Sequence, residues 1–592
     1  MPRAVVPPAV SPPPRLNIGF VHVWSYVRKF ASAGRSLPSA DTSSPAHGHI
    51  LPQTTSVAGR IFSLASFFVL VVALQVAVGA YRTERGNYPD EAAHFMNGLL
   101  VRDYLASGGA QDPLTFAEQY YVDYPKVAPL IWPPLFHLGL GLVLLLPWSP
   151  DRVALLLIAA ATAWIAYRLF FVTSRLSSRA VAVVVSAMFL TTASVLDATS
   201  AVMLDIVVAA FALEAVYWFA RYLRSQRRRD AIVFGLLAAA CCLTKANGVA
   251  IVLVPAVAML MTRRLDLLRS RDLWLAASIV VGLAVPPIAL SWGLDLNSGG
   301  DYVLITIDDV FRRTSFYSTH LWHQLGGTVI MLSLIGATVC VTRRLATDDD
   351  RRHLVVSCAA LAFAGLAFHI LNPVRAIDGR YVGLAIAPIL ALAPSGAAAV
   401  AARLPVGSWT RVAAVALMGV GALNFLAVKP SALQRQPLGY RQLVQSLEKQ
   451  TPLPGRRILV VSDEEGEGAM IAEAAMKYPA PDRATIIRGT KLLGRDDWDG
   501  DNFSPRFATS ASLLEELDHL GVDYVIVDDS AAPRYRDPVM TMIAASTGKF
   551  QLVYVSPNTG RHVTAYSFSP LRTPGKPLEI YASPLHRTVE GR

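Results

Sequence analysis

The chain has 592 residues, 53% of them hydrophobic and only 16% charged, with a mean hydropathy of +0.40. Those values exclude an ordinary soluble globular protein and point to a chain that crosses a membrane several times. The net charge of +11 is not a nucleic-acid footprint, because the basic residues fall mainly in short loops between apolar runs. All four cysteines (Cys241, Cys242, Cys340, Cys358) lie within apolar segments, so neither a disulfide framework nor a zinc spacing is indicated.

In chain order, residues 1–60 are rich in Pro, Ser and Ala, and their basic residues face a single acid, Asp41. This stretch is expected to be a disordered, basic cytoplasmic tail. Ile61 to Ala80 is an almost unbroken apolar run, long enough to cross a bilayer. Immediately beyond it comes Tyr88-Pro89-Asp90-Glu91, a carboxylate pair on the first polar turn after the span. A carboxylate there is partly desolvated yet reaches polar substrates, a suitable place to deprotonate a hydroxyl. The same residues also suit a plain helix start, with Pro89 at its first position and acids favoured by the helix dipole. Val127 to Pro147 opens with Pro129 and Pro133-Pro134 and leaves only Leu135 to Leu146 as a proline-free helix. It is expected to lie against the membrane without crossing.

Ten further crossings are expected: Val153–Val172, Ala180–Leu196, Ala201–Ala220, Ala231–Leu243, Gly248–Met261, Leu273–Trp292, Gly326–Thr342, Leu354–Leu371, Tyr381–Val400 and Val412–Val428. The basic clusters at 221–229, 263–271, 343–352 and 403–411 are each separated by two of these runs. All four can therefore face the cytoplasm together with the tail. Asp90, Glu91, Asp205, Lys245, the 293–325 loop with Arg312, Arg313, His320 and His323, and Arg375, Asp378 and Arg380 then share the outer face. Acids and bases gathered on one side at membrane depth suggest a site.

From about Lys429 the composition becomes that of a soluble domain. Arg457–Val461, Ala484–Ile487, Asp523–Val527 and Leu552–Val555 read as strands, and Gly468–Tyr478 and Leu513–Leu520 as helices. A small extracytoplasmic α/β domain over residues 429–592 is expected, following the membrane domain of residues 61–428. Its acidic turn, Ser462 to Gly468, lacks the glycine spacing of a dinucleotide site. It reads as a solvated loop or as a contact for a polyhydroxylated acceptor.

Tyr88-Pro-Asp-Glu-Ala-Ala-His-Phe95, Trp132-Pro-Pro-Leu135, Met203-Leu-Asp205, Leu243-Thr-Lys245 and Asp378-Gly-Arg-Tyr381, in that order, resemble the polyprenyl-phosphate-sugar glycosyltransferases of the GT-C fold. The resemblance is to glycosyltransferase family 39, with its protein O-mannosyltransferases and aminoarabinose transferases, and covers about Ile61 to Val400. It implies a mainly α, polytopic bundle with a juxtamembrane helix. The implied activity is inverting transfer of a hexose or pentose from a polyprenyl-phosphate donor, on the outer face of the cytoplasmic membrane. The acceptor would be a glycan, lipid or protein. Asp90 resembles the family's catalytic base, with Glu91 orienting it or the acceptor and Asp205 joining from a neighbouring helix. Lys245 and Arg380 are candidates for gripping the donor phosphate, one as a mobile point charge and the other as a fork.

Some relatives carry Glu-Lys before the proline pair, where this chain has Ile131-Trp132, and Lys126 is the nearest cation that could stand in. Tyr88, His94, Trp132 and Tyr381 are candidate substrate-lining residues. No metal ligand set is assigned and no cofactor is required, although a divalent metal remains compatible with the chemistry. Other roles stay open: first-turn acid for Asp205, snorkelling side chain for Lys245, partner of Asp378 for Arg380, interfacial belt for the aromatics. The rival function is a lipid-linked sugar flippase using Asp205 and Lys245 as midplane sites. It would call for pseudo-symmetric halves, and no internal repeat is visible.

Overall fold

The computed structural model describes residues 57–293, 304–342, 349–372, 377–402, 419, 434–479, 482–495, 503–557 and 561–569. The expected tail as far as residue 56 and, but for residue 419, the expected span Val412–Val428 lie outside them.

The first part is all helix. α1 (Val57–Ala77) leads to α2 (Pro89–Ala106), α3 (Pro113–Asp123) and the short α4 (Leu135–Val143). α4 has 9 residues, about 13 Å at 1.5 Å per residue, too short to cross; it fits the expected juxtamembrane segment. α5 (Pro150–Leu176), the bent pair α6 (Arg179–Thr191) and α7 (Ala193–Thr199), α8 (Leu204–Ser225) and α9 (Arg228–Thr244) follow. Next come a 3₁₀ turn (Ala246–Val252) running into α10 (Leu253–Thr262), and α11 (Arg271–Gly293). The bent pair α12 (Ile307–Leu325) and α13 (Gly327–Val341), then α14 (Asp349–Leu371) and α15 (Gly383–Ala401), complete the bundle.

Six of these helices are long and apolar enough to cross a membrane, or up to eight if each bent pair is one span. Among the described residues, two of the eleven expected crossings fall short of that length. Arg228–Thr244 has 17 residues and opens with charges, and Ala246–Thr262 is a shorter apolar helix interrupted by 3₁₀ geometry. The bends are sharp, 64° between α6 and α7 and 108° between α12 and α13, and both lie beside the candidate site.

Within the bundle, Glu214 of α8 accepts from Arg168 of α5 through Nε and Nη2, both at 2.6 Å. It also accepts from the indoles of Trp164 at 3.1 Å and Trp218 at 2.9 Å. A charge in an apolar layer is tolerable only when fully paired in this way. The apolar runs conceal this pair from a sequence reading.

The C-terminal region is a five-stranded sheet with helices. It comprises α16 (Tyr440–Gln450), β1 (Arg457–Val461), α17 (Glu464–Lys477), β2 (Thr485–Arg488), α18 (Ser510–Leu520), β3 (Tyr524–Asp528), α19 (Pro533–Ala545), β4 (Phe550–Val555) and β5 (Val563–Phe568). The strand order is β2-β1-β3-β5-β4. β1 pairs in parallel with β2 (Ile458 opposite Ile486) and β3 (Leu459 opposite Val525), and β5 runs antiparallel to β3 and β4. Covered on both faces, β1 and β3 are continuous apolar runs.

The acidic stretch 462–468 is not the expected solvated turn. Asp463 caps α17 by accepting from Gly466 N at 2.7 Å, and the acids that follow complement the helix dipole. Glu467 is fully buried, bonded to Arg488 Nε at 2.7 Å, Thr490 N at 2.8 Å and Thr490 Oγ1 at 2.7 Å.

This α/β unit is keyed into the bundle. α17 packs on α2, and Tyr124 donates to the carbonyl of Tyr478 at 2.7 Å. Glu84, 2% exposed, accepts from the backbone N–H groups of Leu438 (2.7 Å), Gly439 (3.1 Å) and Arg441 (3.0 Å) at the start of α16. Removing one carboxylate would orphan three donors, each lost partner costing about 1–3 kcal/mol when water cannot replace it. Glu84→Ala is therefore expected to loosen the docking, read as faster hydrogen exchange at residues 434–441 and a lower unfolding temperature in detergent.

Candidate active site

The two adjacent acids at the start of α2 do different things, because successive residues on a helix point about 100° apart. Tyr88 stands before the helix in extended conformation, φ −143° and ψ 150°, with Pro89 in its first turn. Glu91 turns inward and is fully buried. It accepts from Asn87 N (2.8 Å), Asn87 Nδ2 (2.9 Å) and Val202 N (3.0 Å), and pairs with Arg85 at 3.4 Å. Of the two expected roles for Glu91, orienting Asp90 or the acceptor, its burial leaves no surface for an acceptor, and its bonds anchor the start of the helix that carries Asp90. Asp90 turns outward, its side chain 35% exposed, 3.7 Å from Arg380.

Arg380 sits in the 3₁₀ turn Gly379–Val382. Asp378 holds it, accepting from its Nε at 2.6 Å and its backbone N at 2.8 Å. Its guanidinium lies 5.0 Å from the Tyr88 ring centre, and its Nη1 is buried without a hydrogen-bond partner. The expected alternative, an Asp378–Arg380 pair, is present, and it aims the remaining donors rather than consuming them.

Asp205, in the first turn of α8, accepts from Lys245 Nζ at 2.6 Å. Lys245 occupies the break after α9, with extended φ −153° and ψ 147°. The chain can pass there because Gly248 lies against the Cys241 carbonyl, which a Cβ would meet at 2.1 Å. The ammonium lies 5.5 Å from the Tyr381 ring centre, and that ring stacks on His369 at 4.8 Å and 6°. Both members of the ion pair are largely buried, 14% and 5% exposed, and Asp205 Oδ2 has no hydrogen-bond partner.

A cavity of about 440 Å³ is walled in part by Tyr88, Asp197, Asp205, His320, Asp378 and Arg380; Asp90 and Lys245 are not among its lining residues and meet it through their partners Arg380 and Asp205. Apolar residues such as Phe189, Val195, Ile206 and Ile386 line the rest. Its surface is mainly apolar with a few charged groups, and its volume falls in the size range of small-ligand sites.

A third cation was not read from the sequence. Arg435 pairs with Asp197, donates from Nε to Ser200 Oγ at 3.0 Å, and lies 5.6 Å from the Tyr88 ring centre. Arg435 comes far later in the chain than its partners, and no local pattern announces such a contact. Asp197 was hidden at the end of an apolar run that the break at Thr192 turns into a separate helix.

Three predicted residues, His94, Trp132 and Lys126, lie away from the cavity wall. His94 is 1% exposed, packed edge-on to Trp132 at 4.6 Å, with its Nδ1 3.3 Å from His137 Nε2. Burial first, then His137, holds its pKa well below the usual range, so the ring is neutral and belongs to the packing beneath Trp132. Lys126 is not on the cavity wall; it packs beside Gly468 of α17. Among the described residues no group of three or more His, Cys, Asp or Glu side chains converges as a metal ligand set.

The bundle with its broken helices, a juxtamembrane helix and an appended α/β unit, the candidate site at one end of the spans, is the GT-C fold. The solved structures similar to this chain carry the comparison further. ArnT from Cupriavidus metallidurans bound to undecaprenyl phosphate matches with a TM-score of 0.53 at 14% identity, over 86% of this chain and 98% of that one. Its apo state matches at 0.53 and 16%, over 85% and 98%. The apo oligosaccharyltransferase of Archaeoglobus fulgidus matches at 0.51 and 13%, over 88% and 75%. At these identities the likeness is one of fold. No protein-family profile matches the chain, and no curated protein matches it in sequence.

Burial first, then Arg488, pulls Lys126 down to about 8, against the attraction of Glu464, Glu467 and Asp90. The unfolded chain keeps this proton up to about 10.5, so across that window it binds more protons than the folded one. Stability should therefore rise with pH between about 8 and about 10.5. Lys126→Met is expected to flatten that rise in thermal unfolding measured across the window.

Proposed function

We propose that this protein is an integral-membrane glycosyltransferase. It moves a sugar from a polyprenyl phosphate to an acceptor hydroxyl on the outer face of the cytoplasmic membrane. The observation that carries the reading is Asp90, a partly accessible carboxylate 3.7 Å from Arg380, which lines a mainly apolar cavity and keeps one nitrogen, Nη1, without a partner. Sugar transfer needs a base for the attacking hydroxyl and a cation for the departing phosphate, in reach of one another. The apolar wall suits the first isoprene units of the donor.

In this reading the acceptor oxygen attacks the anomeric carbon as Asp90 takes its proton. The bond from that carbon to the phosphate oxygen breaks, and its electron pair leaves on the phosphate. Arg380 receives the growing negative charge directly, and Lys245 supports it from behind Asp205. Asp205 Oδ2 faces the positive, oxocarbenium-like centre. One displacement at the anomeric carbon inverts it.

The orientation is supported by charge. Asp205 opens α8, whereas Arg221 and Arg224 close it, so the site lies at the end opposite the arginine clusters, as the positive-inside rule requires. The site and the α/β unit keyed to it are then extracytoplasmic. The fold of ArnT and of an archaeal oligosaccharyltransferase is compatible with this chemistry, and the structure described with undecaprenyl phosphate supports a polyprenyl-phosphate donor by analogy of fold.

The test is transfer from a panel of hexosyl, pentosyl and aminopentosyl polyprenyl phosphates in nanodiscs, comparing wild type with Asp90→Asn. Loss of a general base lowers rates by about 10²–10⁴-fold. That loss, in a variant with unchanged unfolding temperature, is the expected result. Undiminished transfer by Asp90→Asn would remove the proposed base.

A further inference from the structure

Four of the side chains that line the cavity carry a buried polar atom without a hydrogen-bond partner: Ser194 Oγ, Asp205 Oδ2, His320 Nε2 and Arg380 Nη1. A buried polar atom left unpaired costs about as much as a lost hydrogen bond, so such atoms in a folded site need a reason. The proposed transfer accounts for the carboxylate and the guanidinium. It leaves Ser194 and His320 over, and of these His320 shares the turn that carries Arg380.

His320 lies near the end of α12, next to the face that buries Arg313, Tyr317 and Leu321. Its imidazole is held rather than loose. It stacks on Phe316, with ring centres 6.2 Å apart and planes 12° apart. Gly379 lets the ring lie on the turn that carries Arg380, because a Cβ there would meet His320 Cε1 at 2.4 Å and both ring nitrogens at 2.8 Å. The turn that aims Arg380 thus also seats His320, and the two reach one cavity.

The chemistry of the ring says what it can hold. A neutral imidazole offers one donor and one acceptor. That suits a hydroxyl, which is both, better than a phosphate, which the neighbouring cation already serves. Resting on the glycosyltransferase reading, we infer that His320 Nε2 hydrogen-bonds a hydroxyl of the donor sugar and thereby selects which sugar is transferred.

The experiment pairs substitutions with deleted hydroxyls. Wild type, His320→Ala and His320→Gln are assayed in nanodiscs with the parent donor and with donors lacking one sugar hydroxyl at a time. His320→Ala is expected to lower kcat/KM for the parent about tenfold, and one deoxy donor to lower it about as much in the wild type. Combined, the two losses should remain about tenfold rather than multiply. His320→Gln, which keeps a hydrogen-bonding amide, should recover part of the loss. Inhibition by polyprenyl monophosphate, which has no sugar, should be unchanged in His320→Ala. If every deoxy donor keeps its full wild-type penalty in His320→Ala, the contact does not exist. Weaker inhibition by the monophosphate alongside an unchanged deoxy pattern would assign the ring to phosphate and overturn the inference. A wild type that transfers from no donor defeats the transfer reading, and this inference with it.

Discussion

The site depends on a carboxylate that cannot touch substrate. Glu91 is fully buried and gathers Arg85, both nitrogens of Asn87 and the backbone of Val202 onto its two oxygens. That tie fixes the entry of α2 relative to the segment leading into α8. Asp205 follows Val202 by three residues, so one buried group sets the spacing between the two candidate catalytic acids. Asp90 faces outward because its neighbour faces in. A group so deeply desolvated holds its geometry only while every partner is present, which makes it a positioning residue of high consequence.

The cations are arranged on the same logic. Lys245 is paired with Asp205, Arg380 with Asp378 and, at longer range, Asp90, and Arg435 with Asp197. None is a bare charge in a low-dielectric setting, yet Arg380 retains an unpartnered nitrogen. In the proposed reaction an arriving phosphate would meet donors already oriented by carboxylates, with little reorganisation required. Tyr88 lies between Arg380 and Arg435 and links this network to the chain that leads into the α/β unit. The close fit of α17 on α2 gives that unit a direct bearing on where Asp90 stands.

Much of this was legible in the sequence, for identifiable reasons. Long apolar runs announced the bundle, and Pro133-Pro134 announced a helix too short to cross. The continuous apolar strands β1 and β3 announced a buried sheet. Asp90, Asp205, Lys245 and Arg380 stood out because charges beside apolar spans are costly and rarely idle. Other features were illegible because they depend on packing. Adjacent acids look alike until tertiary contacts decide which is buried, so the roles of Asp90 and Glu91 could not be separated. His94 looked like a loop residue and is packed beneath Trp132. β5, with Thr, Tyr and Ser among its residues, gave too weak an alternation to read as a strand, though it sits between β3 and β4. Contacts such as Arg435 to Asp197 join residues 238 positions apart, and no local pattern encodes them.

The most direct measurement is a cryo-EM structure of the Asp90→Asn variant in nanodiscs with a bound polyprenyl-phosphate sugar. The proposed site predicts phosphate density within hydrogen-bond distance of Arg380, the isoprenoid along the Phe189 and Ile206 wall, and the anomeric carbon between residue 90 and Asp205. Phosphate density away from Arg380, or a sugar out of reach of residue 90, would contradict it.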